Sequence, residues 1–140
     1  MYFDIIWPFS DNMISDNSIN NNSLVCKLNY KNYSMLFTGD IEAIAEKAIL
    51  KKYSKNLNIL KSDILKVAHH GSKTSSITEF IEKIKPKYAI IGVGEDNKFG
   101  HPSDNTIQNL EKANIRIYRT DKMGEIEIKT NGKEIKINEF

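Results

Sequence analysis

The chain has 140 residues, a formal net charge of +2 and a hydrophobic fraction of 40%. That length suits one ordinary domain with a real core, burying roughly two-thirds of the surface its unfolded chain exposes. So small a charge does not argue for nucleic-acid binding, no apolar run reaches the ~20 residues of a membrane-spanning helix, and the single cysteine, Cys26, excludes an internal disulfide and a cysteine-built zinc site.

MYFDIIWPFSDNM carries no basic region before its short apolar run, so it reads as a first strand, YFDIIW, ended by Pro8, and not as a signal peptide. DNMISDNSINNNSL, Asp11 to Leu24, is polar and asparagine-rich, the pattern of a loop or a mobile connection. SLVCKLNY and YSMLFTG are apolar runs around Lys31 and Asn32, which predicts a hairpin, with Cys26 packed in the core. The period then changes. IEAIAEKAILKKY aligns Ile41, Ile44, Ala48 and Ile49 on one helical stripe, with Lys51 and Lys52 in the last turn, where cations suit the helix dipole.

DILKVA is a short buried strand. Ser76 with Glu79 forms a capping-box start for the helix ITEFIEKIK, which Pro86 closes. KYAIIGVG is a second buried strand, ended by glycines, and Ser103 caps a helix over DNTIQNLEKAN with Asp104 in its first turn. IRIYRT is a further strand. EIEIKT and KEIKIN alternate around Asn131-Gly132, a strong hairpin signal. Strands alternating with helices, then a hairpin, predict one α+β domain over residues 1–140, its sheet having parallel neighbours and helices on at least one face. The lysine clusters 51, 52, 55 and 83, 85, 87 read as solvated faces.

Ligands of such sheets gather at the carboxyl ends of the strands. Three suspicious stretches fall there: Phe37-Thr38-Gly39-Asp40, Ala68-His69-His70-Gly71, and Gly94 through His101. Together they offer oxygen and nitrogen donors suited to a divalent metal such as Zn²⁺ or Mn²⁺. Each position also has a plainer reading. Asp40, just before a helix, is a metal ligand, a helix cap, or both. His69 is a ligand or a hydrogen-bonded core residue; His70 contacts metal or a substrate oxygen. His101, between Gly100 and Pro102, binds substrate or metal or merely occupies a turn. Ser72, Lys73, Thr74 and Ser75 hold an anion near a helix start or serve as caps.

In order, FTGD, DILKVAHHGSKTSS, VGEDNKFGHPS and YRTDKMGEIEI resemble the C-terminal portion of metallo-β-lactamase-fold hydrolases, in particular the hydrolase domain of ComEC-type competence (DNA-uptake) proteins. The resemblance runs from about Asn20 nearly to the end. It implies an αββα sandwich of which this chain is the C-terminal portion, with a centre of usually two zinc or manganese ions. By resemblance Asp40 bridges the metals and His69 is the second ligand, making these two the catalytic and metal positions. His70, Ser72, Thr74, Ser75 and His101 would then hold phosphate oxygens of DNA or another phosphodiester.

The family's HxHxDH motif belongs to the N-terminal half and has no counterpart here, since every histidine lies at or beyond position 69. Many members also carry a histidine shortly before the strand matching SLVCKL, where this chain has Asn20, Asn21 and Asn22. The resemblance is therefore to half of an enzyme. It implies a metal-dependent hydrolase fragment, phosphodiesterase- or nuclease-like, or alternatively a non-catalytic binding module. A small doubly wound ligand-binding domain is a third reading, against which the terminal hairpin and the histidine doublet speak. An uncovered face is expected, inviting the missing half or a second copy. The likeness also implies a membrane-embedded parent with this domain on its outer side.

Overall fold

Neighbouring apolar runs pair in the order in which they occur in the chain. In the computed structural model, which describes residues 1–140, β1 (Tyr2–Trp7), β2 (Val25–Tyr30) and β3 (Tyr33–Phe37) form an antiparallel meander. A helical turn, α1 (Ser18–Asn21), lies between the first two, and α2 (Ala43–Lys52) follows the third. β4 (Ile64–Lys66), β5 (Tyr88–Ile91) and β6 (Arg116–Arg119) then add in parallel, giving one mixed sheet ordered β1-β2-β3-β4-β5-β6. The crossovers are α2, α3 (Thr78–Ile84) and α4 (Asp104–Lys112); a short turn, α5 (Thr120–Met123), leads to the hairpin β7 (Ile126–Thr130) and β8 (Ile135–Glu139). The molecule is α+β, as its periodicities predict. No helix is long and apolar enough to cross a membrane.

Alternation along each strand sorts side chains between two layers. Leu36, Leu65, Val67, Ala89 and Ile91 face the helices, where they meet Ile41, Ala45, Ile49, Phe80, Ile81, Ile84 and Leu110 in a core of 18 buried residues. Ile64, Ile90 and Tyr118 form the only buried cluster on the other face, covered by Ile126, Ile128, Ile135 and Ile137 of the hairpin. At ~1.5–3 kcal/mol for each fully buried large apolar side chain, the helix side supplies most of the cohesion. The hairpin does not reach β1, leaving Phe3 56% and Ile5 51% exposed on the sheet.

Two local expectations need correction and a third is narrowed. The core-facing side of α2 holds Ala45, Ile49 and, partly buried, Ala48, with Ile41 buried just before the helix, while Ile44 is 45% exposed. The asparagine-rich segment is a loop, the first of its two readings, interrupted by the helical turn α1 and pinned by Asn21. Asn21 is fully buried; its carbonyl accepts the Trp7 indole N–H (2.7 Å), its side-chain oxygen accepts the Glu42 amide (3.0 Å), and its side-chain nitrogen donates to the Asp16 carbonyl. Ser76 makes no capping box. Its φ of 61° turns it away from α3, whose N-cap residue, Ile77, has no side-chain cap. The Ser76 and Ile77 amides donate instead to the buried Glu46 carboxylate of α2, at 2.6 and 2.9 Å. Ser103 does cap α4, accepting from the Thr106 amide.

Candidate functional site at the carboxyl edge of the sheet

Three loops leave β3, β4 and β5 on the same edge and are stitched together by backbone contacts. Thr38, fully buried, donates its hydroxyl to the Lys66 carbonyl at 2.5 Å. The His69 amide donates to the Gly39 carbonyl (3.0 Å), and the Ser103 amide to the Gly71 carbonyl (2.8 Å). Asp40 thereby emerges beside the histidine doublet. It is not a helix cap, since α2 is preceded by Glu42 at the N-cap position, two residues further on.

His69 and His70 both lie in the left-handed region, with φ of 46° and 54°. Consecutive non-glycine residues there are strained by ~1–3 kcal/mol each and persist only where their surroundings hold them. Gly71 continues the turn at φ +82°, and a Cβ on it would lie 2.6 Å from Pro102 Cβ and 3.1 Å from Pro102 Cα. The β5–α4 loop therefore presses directly on the histidine turn. Gly71→Ala is expected to lose about 2 kcal/mol of stability in urea titrations; a change below about 0.5 kcal/mol would contradict this close packing.

The two imidazoles do different things. His70 Nδ1 lies 2.6 Å from the Gly92 carbonyl, which can only accept, so Nδ1 carries a proton and Nε2 is left as the ring nitrogen without a protein hydrogen bond. That Nε2 is 3.7 Å from Asp40 Oδ1, with the two side chains 50% and 45% exposed. His69 turns inward. Its Nδ1 sits 3.5 Å from Glu42 Oε1 and, lacking hydrogen-bond alignment, is buried without a partner, so this contact is electrostatic only. Its ring meets the edge of His101 at 5.6 Å between centroids, and His101 stacks on Phe99. Burial, then the charges of His69 and His70, push the His101 imidazole below its ordinary pKa.

Glu42 is the residue that sequence reasoning missed. Besides facing His69, it accepts the Thr74 hydroxyl (2.8 Å) and the Asn17 amide (3.0 Å). Burial would raise its pKa, but these hydrogen bonds and the nearby His69 outweigh it and hold the carboxyl below its usual value. The loop hydroxyls are spent inside the protein. Ser72 bonds Thr74, and Ser75, 2% exposed, donates to the Ala68 and Ser72 carbonyls. Lys73 is exposed.

Asp40 and His70 are suitable donors for a divalent ion. Their 3.7 Å separation is slightly wider than the ~3–3.4 Å between two ligands of one ion with bonds near 2.1 Å. Two donors fall short of the four that zinc takes, and no group of three or more His, Cys, Asp or Glu side chains converges anywhere in the chain. The fit is partial. The largest concavity, about 610 Å³ between β2 and the hairpin, contains none of these residues.

The fold and this edge define an α+β domain with an acid–imidazole cluster where its parallel strands end. No protein-family model matches the chain. The chain is similar to three curated proteins: it is 40% identical over 110 residues to ComE operon protein 3 of Bacillus subtilis, covering 79% of this chain and 14% of that protein. It is 32% identical over 126 residues to competence protein ComA of Neisseria gonorrhoeae, covering 89% and 17%. Recombination protein 2 of Haemophilus influenzae is 29% identical over 128 residues, covering 91% and 15%. The chain thus spans about a sixth of the length of each of these relatives.

Proposed function

We propose that the chain serves DNA uptake as the C-terminal portion of a metallo-β-lactamase-fold hydrolase domain, contributing to a zinc- or manganese-dependent phosphodiesterase site. The observation that carries this reading is Asp40 opposite His70 Nε2, with the Gly92 carbonyl engaging the other ring nitrogen. In this reading Asp40 and His70 are the metal donors from this chain, and the remaining donors come from outside it. A divalent ion held there would lower the pKa of a bound water toward neutrality. His70 thus takes the place that the resemblance gave to His69, while His69, set against Glu42 and His101, positions the loop. His101, at the open rim, is the histidine available to a substrate oxygen. Competence relatives and the sequence motifs support the substrate class, the phosphodiester of DNA.

The test is cleavage of bis(p-nitrophenyl) phosphate and of single-stranded DNA by the purified chain, with and without added Mn²⁺ or Zn²⁺. Weak activity that requires metal and is lost on adding EDTA is expected. Cleavage that proceeds equally without metal would refute the mechanism.

A second reading, a non-catalytic binding module, is favoured by the absence of a three-donor cluster. Elemental analysis of protein purified without chelator separates the two, because stoichiometric zinc or manganese is incompatible with an inert module.

A further inference from the structure

A lysine stands at the same edge without an assigned task. Lys66 is the last residue of β4, on the sheet face of Ile64 and opposite the helices, in register with Phe37 on one side and Ile90 on the other. Its ammonium donates to one protein acceptor, the Val67 carbonyl at 3.0 Å, and forms no ion pair within 4.0 Å. An ammonium carries three donors, so two are left. The side chain is half-buried, and the other donors are available to water or to a ligand acceptor.

The surroundings leave room for that acceptor. Gly92 has no side chain where a Cβ would come within 3.3 Å of Lys66 Cε and 3.9 Å of Nζ. The same glycine's carbonyl orients His70, so the ammonium and the His70 imidazole flank one residue. Burial lowers the proton affinity of Lys66 and the Asp40 carboxylate raises it, which places Asp40 within electrostatic reach.

We propose that Lys66 is the cation that holds a non-bridging phosphate oxygen of a phosphodiester at the Asp40–His70 edge. The proposal takes its substrate class from the phosphodiesterase reading above. A competing account makes Lys66 a structural stem lying over its strand neighbours, with its charge incidental. Methionine preserves that stem, so Lys66→Met separates the two.

The probe is the dinucleoside phosphodiester TpT, titrated into the chain while the Lys66 side chain and the backbone amides of residues 66–71 and 92 are followed by NMR. Saturable shifts are expected at these positions. Lys66→Met should weaken binding by about 10- to 100-fold, as for loss of a charged hydrogen bond, at an unchanged melting temperature. Lys66→Arg should retain binding within about 3-fold, since the charge remains. TpT affinity within about 2-fold of wild type in Lys66→Met, or no shift at Lys66, overturns the proposal. Phosphodiester binding at Lys66 by a chain that neither cleaves with metal nor holds stoichiometric zinc or manganese would favour the binding-module reading over the hydrolase and leave Lys66 in its role. Metal-dependent cleavage that is unaffected in Lys66→Met would do the reverse.

Discussion

Replacing Glu46 with alanine is expected to destabilise the fold by about 3 kcal/mol, because the Ser76 and Ile77 amides would lose their acceptors in a dry setting. Glu46 is fully buried, and no other side chain caps the start of α3. Burial pushes its carboxyl up to about 7 from 4.5; the two amides pull it down and Glu79 raises it, but burial dominates. The sign of the pH effect follows. An acid whose folded pKa is raised keeps its proton in the native state after the unfolded chain has lost it, so stability falls as pH rises through that interval. This group's contribution is full below about 4.5 and is lost as pH passes about 7. Across that window the loss is about 3 kcal/mol. Glu46→Gln, which cannot ionise, should flatten the slope between those pH values in chemical denaturation. If Glu46→Gln keeps the wild-type slope, another group is responsible.

His70→Asn is expected to weaken zinc binding about 100-fold, whereas His69→Asn should change it by less than about 3-fold. Asparagine suits both positions because it tolerates the left-handed backbone that each adopts, so the comparison isolates the imidazole from the strain. The contrast rests on which nitrogen is free. His70 turns its Nε2 toward Asp40, while His69 directs its Nδ1 to Glu42. Calorimetric zinc titrations of the two variants provide the readout. The opposite ranking would return the metal to His69, as the family resemblance implies.

Much of the scaffold was legible from local pattern. The alternation around Lys31-Asn32 and Asn131-Gly132 gave two hairpins, and the Ser103 cap was visible because its partner amide lies three residues away. Convergence at the carboxyl edge was also legible, since parallel strands bring their ends together whatever the loops contain. Which imidazole faces Asp40 was not. It depends on two successive left-handed residues and on a carbonyl 22 residues distant, neither of which leaves a trace in periodicity. Glu42 and Glu46 were hidden for the same reason. Each looks like an ordinary acid early in a helix, yet their partners Thr74, Ser76 and Ile77 lie about 30 residues downstream. Asn21 was obscured by its asparagine-rich neighbours, because composition describes a stretch and burial selects one residue from it.

The strand order carries a kinetic implication. Because β1 through β6 lie side by side in chain order, each new strand docks on the one made just before it, and no pairing waits for a distant partner. The terminal hairpin is different. Its anchors join Lys31, Asn32 and Tyr33 to Asn131, Gly132 and Lys133, each across 100 positions. These contacts need β2 and β3 already in place, and with the sheet formed the hairpin has only the short α5 connection after β6 to close. Assembly therefore implies a late seal, with the hairpin settling over a preformed sheet as the final step.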